Sequence, residues 1–290
     1  MLLLIVLIIL ILSFSILFRD QFFKRKWKKL EEDFPIKWRM ILQEKVAFYN
    51  SLDSMEQALF EKRVFEFILN FKITGVKTDV TIEDKLLVAS SAIIPLFAFP
   101  EWNYMNLDEV LLYPSSFNKN FETSVKERSI LGMVGSGFME GKMILSKNAL
   151  HRGFANESDK KNTAIHEFIH LLDKQDGSID GIPSHFMQRQ YSIPWIQLME
   201  RKIEDIHDEN SDINPYGATN KAEFFAVISE YFFERPKLLA QKHPKLYAYL
   251  KEIFQNDLKT RELKTSSTQI GRNSACPCNS GKKYKHCCMN

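Results

Sequence analysis

Apolar residues recur with a helical period in the first half of the chain. Between about Phe34 and Phe99 they stand three to four positions apart in three runs, which predicts three amphipathic helices with their apolar faces in a core. Asp53 or Ser54 is placed to cap the second helix, and Thr81 is placed to cap the third. These apolar positions are therefore interpreted as core packing.

The pattern changes between about residues 106 and 154, where short apolar runs alternate with turn residues. Val110–Tyr113 stops at Pro114, and a glycine-rich stretch follows around positions 132 to 137. Lys142–Ser146 has the length and composition of a strand. A small sheet is expected in this region.

Helical spacing returns in the remainder of the chain. A long helix is predicted from about Ser158 to Asp173, with Ser158 or Asp159 as its cap, and a loop rich in Asp and Gly follows it. Further helices are predicted over about 195–204, 221–234 and 244–254. Residues 34–256 are therefore expected to form one α+β domain, mostly helical with a small sheet.

The N-terminus has the character of a membrane anchor. Residues 1–18 are apolar except for Ser13 and Ser15, and as a helix they would span roughly 27 Å, close to the hydrocarbon thickness of a bilayer. The basic and aromatic juxtamembrane segment 19–33 follows, which by the positive-inside rule predicts a single-pass protein of the inner, cytoplasmic membrane with the body facing the cytoplasm. A short buried helix and a cleaved signal are the alternatives, but no basic residue precedes the run.

Charge and cysteine content narrow the function classes. A formal net charge of +3 is too small to indicate a nucleic-acid-binding protein, and no nucleic-acid partner is expected. The four cysteines all lie within the last fifteen residues, which suits a metal site in a reducing compartment better than a disulfide framework. Residues 257–270 are polar and are predicted to be a linker to this cysteine tail.

The segment around His166, Glu167 and His170 carries the most informative chemistry. Two histidines four apart on a helix lie on one face, so both imidazoles can bind one tetrahedral zinc ion. Glu167 stands next to the first histidine, where its carboxylate can reach a water at the metal and act as a general base in hydrolysis. A surface trio without a metal is the alternative, but the neighbouring positions are apolar.

A zinc site of this type needs a third protein ligand. Glu223 and Glu230 are seven apart on the helix predicted over 221–234, so they lie on nearly the same face, together with Ala226 and Val227. A buried carboxylate needs a partner, and a metal is a suitable one. The chemistry of the residues alone does not choose between the two glutamates.

Residues from about Phe34 to Phe254 resemble the MtfA family of zinc-dependent bacterial peptidases. The resemblance rests on four stretches, at 34–42, 46–53, 166–183 and 216–233. Since the family is similar to the protease domain of anthrax lethal factor in its catalytic core, the resemblance implies a gluzincin-like α+β metalloprotease domain.

The resemblance also implies roles for individual residues. Glu223, seven residues after Tyr216, would be the third zinc ligand, and Tyr216 would stabilise the oxyanion of the transition state. Glu230 would orient a ligand histidine. Asp173 would act similarly, or would cap its helix or bind the Asp-Gly loop that follows.

The resulting expectation is a membrane-anchored cytoplasmic zinc metallopeptidase, aminopeptidase-like, acting on peptides or proteins. The alternative is a non-catalytic or weakly catalytic protein that sequesters a transcriptional regulator or an export-related partner at the membrane. Met143–Ser146 is a candidate edge strand for pairing with an extended substrate, with an ordinary interior strand as the alternative.

The C-terminal residues 271–290 resemble the SEC-C motif, a small zinc-binding module. Cys276, Cys278, Cys287 and Cys288 can close a structural tetrahedral zinc site, with His286 competing for one position. The chain is therefore expected to bind two zinc ions, one catalytic and one structural. The module is expected to dock on an acidic protein surface, and the resemblance implies an export chaperone or a ribosome-associated partner.

Overall fold

A computed structural model describes residues 27–29, 32–125, 129–155, 159–263 and residue 283. The predicted anchor, residues 1–18, lies outside the described residues. So do the five candidate ligands of the C-terminal module, Cys276, Cys278, His286, Cys287 and Cys288.

The N-terminal part of the body is helical, as its apolar spacing predicts. Its helices are α1 (Ile36–Lys45), α2 (Ala47–Asn50), α3 (Ser54–Asn70) and α4 (Ile82–Leu96). Asp53 caps α3: its side chain accepts hydrogen bonds from the backbone N–H groups of Met55 and Glu56, while Glu56 bonds back to the N–H of Asp53. Thr81 and Asp84 form the same reciprocal cap on α4.

In the part of the chain that the structure describes, four short strands form one mixed sheet. They are β1 (Lys72–Gly75), β2 (Glu109–Tyr113), β3 (Gly132–Val134) and β4 (Lys142–Ser146). The spatial order is β1-β2-β4-β3, with β1, β2 and β4 parallel and β3 antiparallel to β4. β1 lies inside the region predicted to be helical, because four residues between two long helices are too few to interrupt a helical pattern.

The position of β4 corrects one prediction. β4 pairs with β2 on one side and β3 on the other, so Met143–Ser146 belongs to an interior strand. The edge strand next to it is β3, whose three residues begin the glycine-rich stretch.

The second half of the domain is again helical. Its helices are α5 (Lys147–Ala155), α6 (Thr163–Asp173), α7 (Arg189–His207), α8 (Lys221–Glu234), α9 (Pro236–Lys242) and α10 (Pro244–Ile253). α6 starts at Thr163 instead of Ser158, because Lys160 has a left-handed backbone (φ +63°) that a helix does not accommodate. Asn162 caps α6, since its side chain accepts the N–H of Ile165.

α6 lies at the centre of the domain. It packs against α4, α8 and β3, and each of its residues after Thr163 is buried. Phe168 on its rear face contacts the rings of Phe67 and Tyr104, with centroid distances of 5.8 and 5.1 Å. The mostly helical α+β architecture with a small sheet therefore agrees with the prediction, and it encloses the helix that carries the histidine pair.

The predicted single-pass membrane localisation is corrected by the structure. Across residues 27–29, 32–125, 129–155 and 159–263, no helix is both long and apolar enough to cross a bilayer. The longest, α7, has 19 residues but carries Glu200, Arg201, Lys202 and other charged side chains that are costly to bury in hydrocarbon.

The first residues of the predicted linker pack onto the body. Leu258 is fully buried, and Arg261 makes a two-pronged ion pair with Glu56 on α3, with both N···O distances 2.8 Å. The part of the chain that packs on the domain therefore extends to about residue 261, beyond the domain boundary predicted at residue 256.

Candidate metal centre

His166 and His170 lie one turn apart on α6 and point toward the start of α8. His166 Nε2 is 3.1 Å from His170 Nε2 and 3.0 Å from Glu223 Oε2, and His170 Nε2 is 3.4 Å from the same carboxylate oxygen. Glu223 occupies this position because Asn220 caps α8, accepting the N–H of Glu223 at 2.9 Å. The structure thus brings together the two histidines and the first of the two candidate glutamates.

The separations of these three donor atoms fit one tetrahedral ion. Donor atoms about 2.1 Å from a tetrahedral zinc lie about 3.4 Å from one another. The observed separations of 3.0 to 3.4 Å match that triangle closely. Two imidazole nitrogens and one carboxylate oxygen are also a donor set that zinc prefers, so the residues fit the metal.

Glu230 lies on the other side of the His166 ring. Its Oε1 is 2.7 Å from His166 Nδ1, and its Oε2 accepts the backbone N–H of Asn162 at 2.5 Å. A carboxylate in this position holds the imidazole with its proton on Nδ1, which leaves Nε2 free for a metal. Glu230 therefore bonds both the cap of α6 and its first histidine.

The electrostatics of His166 favour a cation at the site. Burial lowers the pKa of His166, but its hydrogen bonds with Glu223 and Glu230 outweigh this effect and raise the pKa to about 10. In turn, although burial raises the pKa of Glu223, its bonds to His166 and His170 hold that pKa well below the usual range. The carboxylates that favour a proton on the ring equally favour a metal ion beside it.

Glu167 is buried between α6 and β3. A Cβ atom at Gly132 would stand 2.6 Å from both Cγ and Oε1 of Glu167, so only glycine leaves room for this side chain. Burial raises the pKa of Glu167, while the nearby histidines oppose the shift. A carboxylate with a raised pKa is suited to accepting and returning a proton near neutral pH.

Tyr216 lies at the rim of the site. It belongs to a short 3-10 turn, Pro215–Ala218, and its ring centroid is 6.0 Å from that of His166. The side chain is 54% exposed, and partial burial together with the charge of Glu223 raises the pKa of its hydroxyl. The hydroxyl therefore stays protonated and able to donate a hydrogen bond.

Asp173, at the end of α6, holds the loop that follows. Its Oδ2 accepts the N–H of Gly181 at 2.7 Å, and the carbonyl of Gly181 accepts the indole N–H of Trp195 at 2.8 Å. A Cβ at Gly181, where φ is +80°, would meet the carbonyl oxygen of Lys221 at 2.4 Å. Of the roles considered for Asp173, the structure places it on the Asp-Gly loop.

These residues open onto a cleft of about 720 Å³. β3 and the preceding Ile130 form one wall, and Ile179, Asp180 and the first residues of α8 form the other. The walls are largely apolar, and the lysine among them, Lys221, is paired with Glu200 at 2.7 Å. An extended chain can lie along this cleft across the histidine pair.

Three residues of the site do not emerge from sequence reasoning. Gly132 makes room for Glu167, Gly181 allows the close approach of the loop to α8, and Asn162 links Glu230 to α6. The glycine-rich stretch and the Asp-Gly loop are visible in the sequence, but which glycine meets which side chain depends on tertiary packing.

Comparison with known proteins assigns the family. The model of the glucose-regulated metallo-peptidase family M90 matches residues 21–255, and the SEC-C motif matches residues 272–290. The chain therefore belongs to this metallo-peptidase family and carries a SEC-C motif, which confirms both resemblances.

The individual relatives share less than a third of their aligned residues with this chain. An uncharacterised protein of Synechocystis sp. is 28% identical over 241 residues, covering 79% of this chain and 87% of that protein. Mlc titration factor A of Serratia proteamaculans is 30% identical over 166 residues, 52% of this chain and 60% of that protein. The Escherichia coli protein of the same name is 28% identical over 172 residues, 55% and 63% respectively. The match thus spans less than two thirds of either titration factor.

Proposed function

We propose that this member of the M90 family is a zinc-dependent peptidase whose metal is held by His166, His170 and Glu223. The observation that carries the proposal is the triangle of three donor atoms 3.0 to 3.4 Å apart, with Glu167 buried beside it. A protein that only bound metal would have no use for an additional carboxylate that lies beside the three ligands and does not coordinate the metal.

Zinc at this site would acidify a water molecule and polarise the scissile carbonyl. Glu167 accepts the proton of the attacking water and returns it to the leaving amine, which its raised pKa favours. Tyr216 donates its hydroxyl proton in a hydrogen bond to the developing oxyanion. Glu230 keeps the Nδ1 proton on His166, so that Nε2 faces the metal.

The substrate backbone would pair with the edge of β3 that faces away from β4, beyond the bridge between Ile130 and Phe117. Ser146 N–H donates to the carbonyl of Leu131, and Gly135 N–H donates to that of Lys142, so alternate residues of β3 bond to β4. The backbone groups of Gly132 and Val134 therefore face the cleft, where an extended peptide can add as a further strand.

The C-terminal module would hold a second, structural zinc through Cys276, Cys278, Cys287 and Cys288, with His286 as the competing ligand. A segment this short cannot bury a core, so the metal would supply most of its folding free energy. Its lysines suit docking on an acidic protein surface, for which an export chaperone or a ribosome-associated protein is the partner class. Removing residues 271–290 is expected to lower the zinc content from two ions per chain to one, and an unchanged content would contradict this site.

Binding of a regulator without catalysis is the alternative function. It is favoured by the relatives named Mlc titration factor A, although the match covers only about 60% of their length. A protein that only binds a regulator would bind it equally well without the Glu167 carboxylate. Replacing Glu167 therefore tests both functions.

Glu167→Gln keeps the shape of the side chain and removes its basicity. Hydrolysis of unblocked and N-acetylated peptides is expected to fall by about 10³-fold, within the range for loss of a general base, while zinc content and melting temperature stay unchanged. Glu44→Gln, on the exposed face of α1, is the matched control and should hydrolyse as wild type. Equal rates for Glu167→Gln and wild type would overturn the proposed mechanism.

A further inference from the structure

Asp212 is the acceptor of an extensive hydrogen-bond network outside the metal centre. Its Oδ2 accepts from the ammonium of Lys160 at 2.7 Å and the hydroxyl of Tyr231 at 2.8 Å, and Lys242 Nζ lies 3.2 Å away. Its Oδ1 is 2.8 Å from His243 Nε2. Lys160 also donates to the backbone carbonyl of Asp212 at 2.8 Å.

The partners of Asp212 come from three different parts of the fold. Lys160 precedes α6 and stands two residues before its cap, Asn162. Tyr231 is on α8, directly after Glu230. Lys242 and His243 form the junction of α9 and α10. One carboxylate therefore joins its own loop to α8, to the segment just before α6 and to the junction of α9 and α10.

That loop continues directly into the turn that carries Tyr216. Asn214 accepts the backbone N–H of Tyr216 at 3.1 Å, and the turn begins at Pro215. The Tyr216 side chain is half exposed, and its contacts are with the His166 ring, 6.0 Å away between centroids, and the Glu223 carboxylate. Since these contacts leave half of the side chain exposed, the position of its hydroxyl also depends on the backbone of the turn, which packs on α8 and α7 and is joined to Asp212 through Ile213 and Asn214.

The charge state of Asp212 suits it to this task. Burial raises the pKa of the carboxyl group, but the bonds from Lys160, His243 and Tyr231 outweigh burial and hold the pKa well below its usual range. Asp212 is therefore ionised throughout the neutral range, and hydrogen bonds to an ionised acceptor are about twice as strong as neutral ones.

We propose that Asp212 is a positioning residue for the hydrolytic reaction, holding the Pro215–Ala218 turn so that Tyr216 faces the oxyanion. This inference rests on the proposed peptidase function and on the role given there to Tyr216. It assigns a catalytic consequence to a residue that touches neither metal nor substrate.

The chain provides a matched control for this network. Asp257 accepts from the hydroxyl of Tyr247 at 2.7 Å and from the ammonium of Lys251 at 2.5 Å. The chemistry is the same, a carboxylate bonded to a tyrosine and a lysine, but its partners Tyr247 and Lys251 are on α10 and Asp257 follows that helix in the chain. Asp257→Asn and Tyr247→Phe therefore control for Asp212→Asn and Tyr231→Phe.

The first measurement is a kinetic double-mutant cycle on the full-length zinc protein. Asp212→Asn is expected to lower kcat about tenfold, since a displacement of about 1 Å can cost up to about 100-fold, with KM within about twofold of wild type. In a Tyr216→Phe background the same change should cause no further loss. Losses of equal size in both backgrounds would overturn the proposal, as would an equal loss in Asp257→Asn.

The second measurement does not depend on activity. Amide hydrogen exchange of residues 213–219 should be at least about tenfold faster in Asp212→Asn than in wild type or Asp257→Asn. If wild type hydrolyses no peptide, the proposed function fails, and this exchange still decides whether Asp212 holds the turn. Unchanged exchange would contradict the inference with or without hydrolysis.

A milder variant covers the case in which Asp212→Asn does not fold. Tyr231→Phe removes one hydroxyl and leaves the ring packed, so it should speed exchange of residues 213–219 by about threefold, in line with a single lost hydrogen bond. Tyr247→Phe should leave that exchange unchanged. If the two variants behave alike, Asp212 has no specific effect on the turn.

Discussion

The two ends of α6 are held in different ways, although each carries a candidate zinc ligand. At the N-terminal end, Asn162 caps the helix, and Glu230 bonds both the Asn162 N–H and the His166 ring. At the C-terminal end, His170 Nδ1 and Asp173 Oδ1 are buried and have no hydrogen-bond partner among the described residues.

This difference indicates which ligand the protein orients by itself. His166 is fixed on both sides by carboxylates, so its position is set before any metal binds. The orientation of His170 comes from packing and from the shared oxygen of Glu223. The C-terminal end instead directs its one strong acceptor, Asp173, to the loop that forms a wall of the cleft. The N-terminal end of α6 therefore orients its candidate metal ligand through side-chain hydrogen bonds, and the C-terminal end instead holds the loop that forms a wall of the cleft.

The largest effect on zinc binding is expected from Glu230→Gln, which disrupts the hydrogen bond to His166 at the N-terminal end of α6. Glutamine can still accept the Asn162 N–H, but its amide would present a donor to the proton on His166 Nδ1. Zinc affinity is expected to fall about 10- to 100-fold, measured by competition with a chelator of known affinity. Unchanged affinity would show that His166 does not depend on Glu230.

Asp173→Ala tests the C-terminal end and is expected to leave zinc affinity within about threefold of wild type. Since the buried N–H of Gly181 loses its acceptor, the free energy of unfolding should fall by about 1–3 kcal/mol. KM should rise several-fold, because the loop that carries Ile179 forms one wall of the cleft and would shift. Chelator competition and steady-state kinetics separate the two effects. A loss of zinc affinity as large as that of Glu230→Gln would remove the distinction between the two ends.

The last effect depends on pH and concerns Glu234, one turn after Glu230 on α8. Burial, and then repulsion by Glu230, raises its pKa to about 9, whereas the unfolded chain titrates near 4.5. The folded state therefore keeps a proton that the unfolded state loses, so stability falls as pH rises between about 4.5 and 9.

Glu234→Gln removes this pH dependence. The variant should melt like wild type near pH 4 and at a higher temperature near pH 8, by roughly 2–4 °C for each kcal/mol of relieved cost. Thermal unfolding at a series of pH values measures the difference. If the difference in melting temperature between the variant and wild type became smaller as pH rose, the raised pKa of Glu234 would be wrong.

Much of the fold could be predicted from the sequence because the helices are long and periodic. α6 and α8 show clear apolar spacing, and their buried faces are the ones that carry the donor residues. β1 and α5 were missed for a local reason. β1 has four residues, and α5 follows β4 with no intervening breaker.

The site could be predicted only in part. Glu223 and Glu230 share one helical face, so spacing could not separate them, and the family resemblance favoured Glu223. The structure shows why both are acidic, since they approach opposite nitrogens of the same imidazole ring. The choice of β3 over β4 as the sheet edge depended on pairing between distant segments, which periodicity does not record.

The contact between Gly132 and Glu167 has a consequence for judging related genes. The His-Glu-x-x-His pattern reports that the candidate ligands and the proposed base are encoded, but it does not report whether the glutamate side chain has room. A homologue that kept the pattern and replaced this glycine with a larger residue would have its glutamate displaced from the cleft. Such a sequence would be expected to encode a metal-binding pseudoenzyme, identifiable from one position more than thirty residues before the motif.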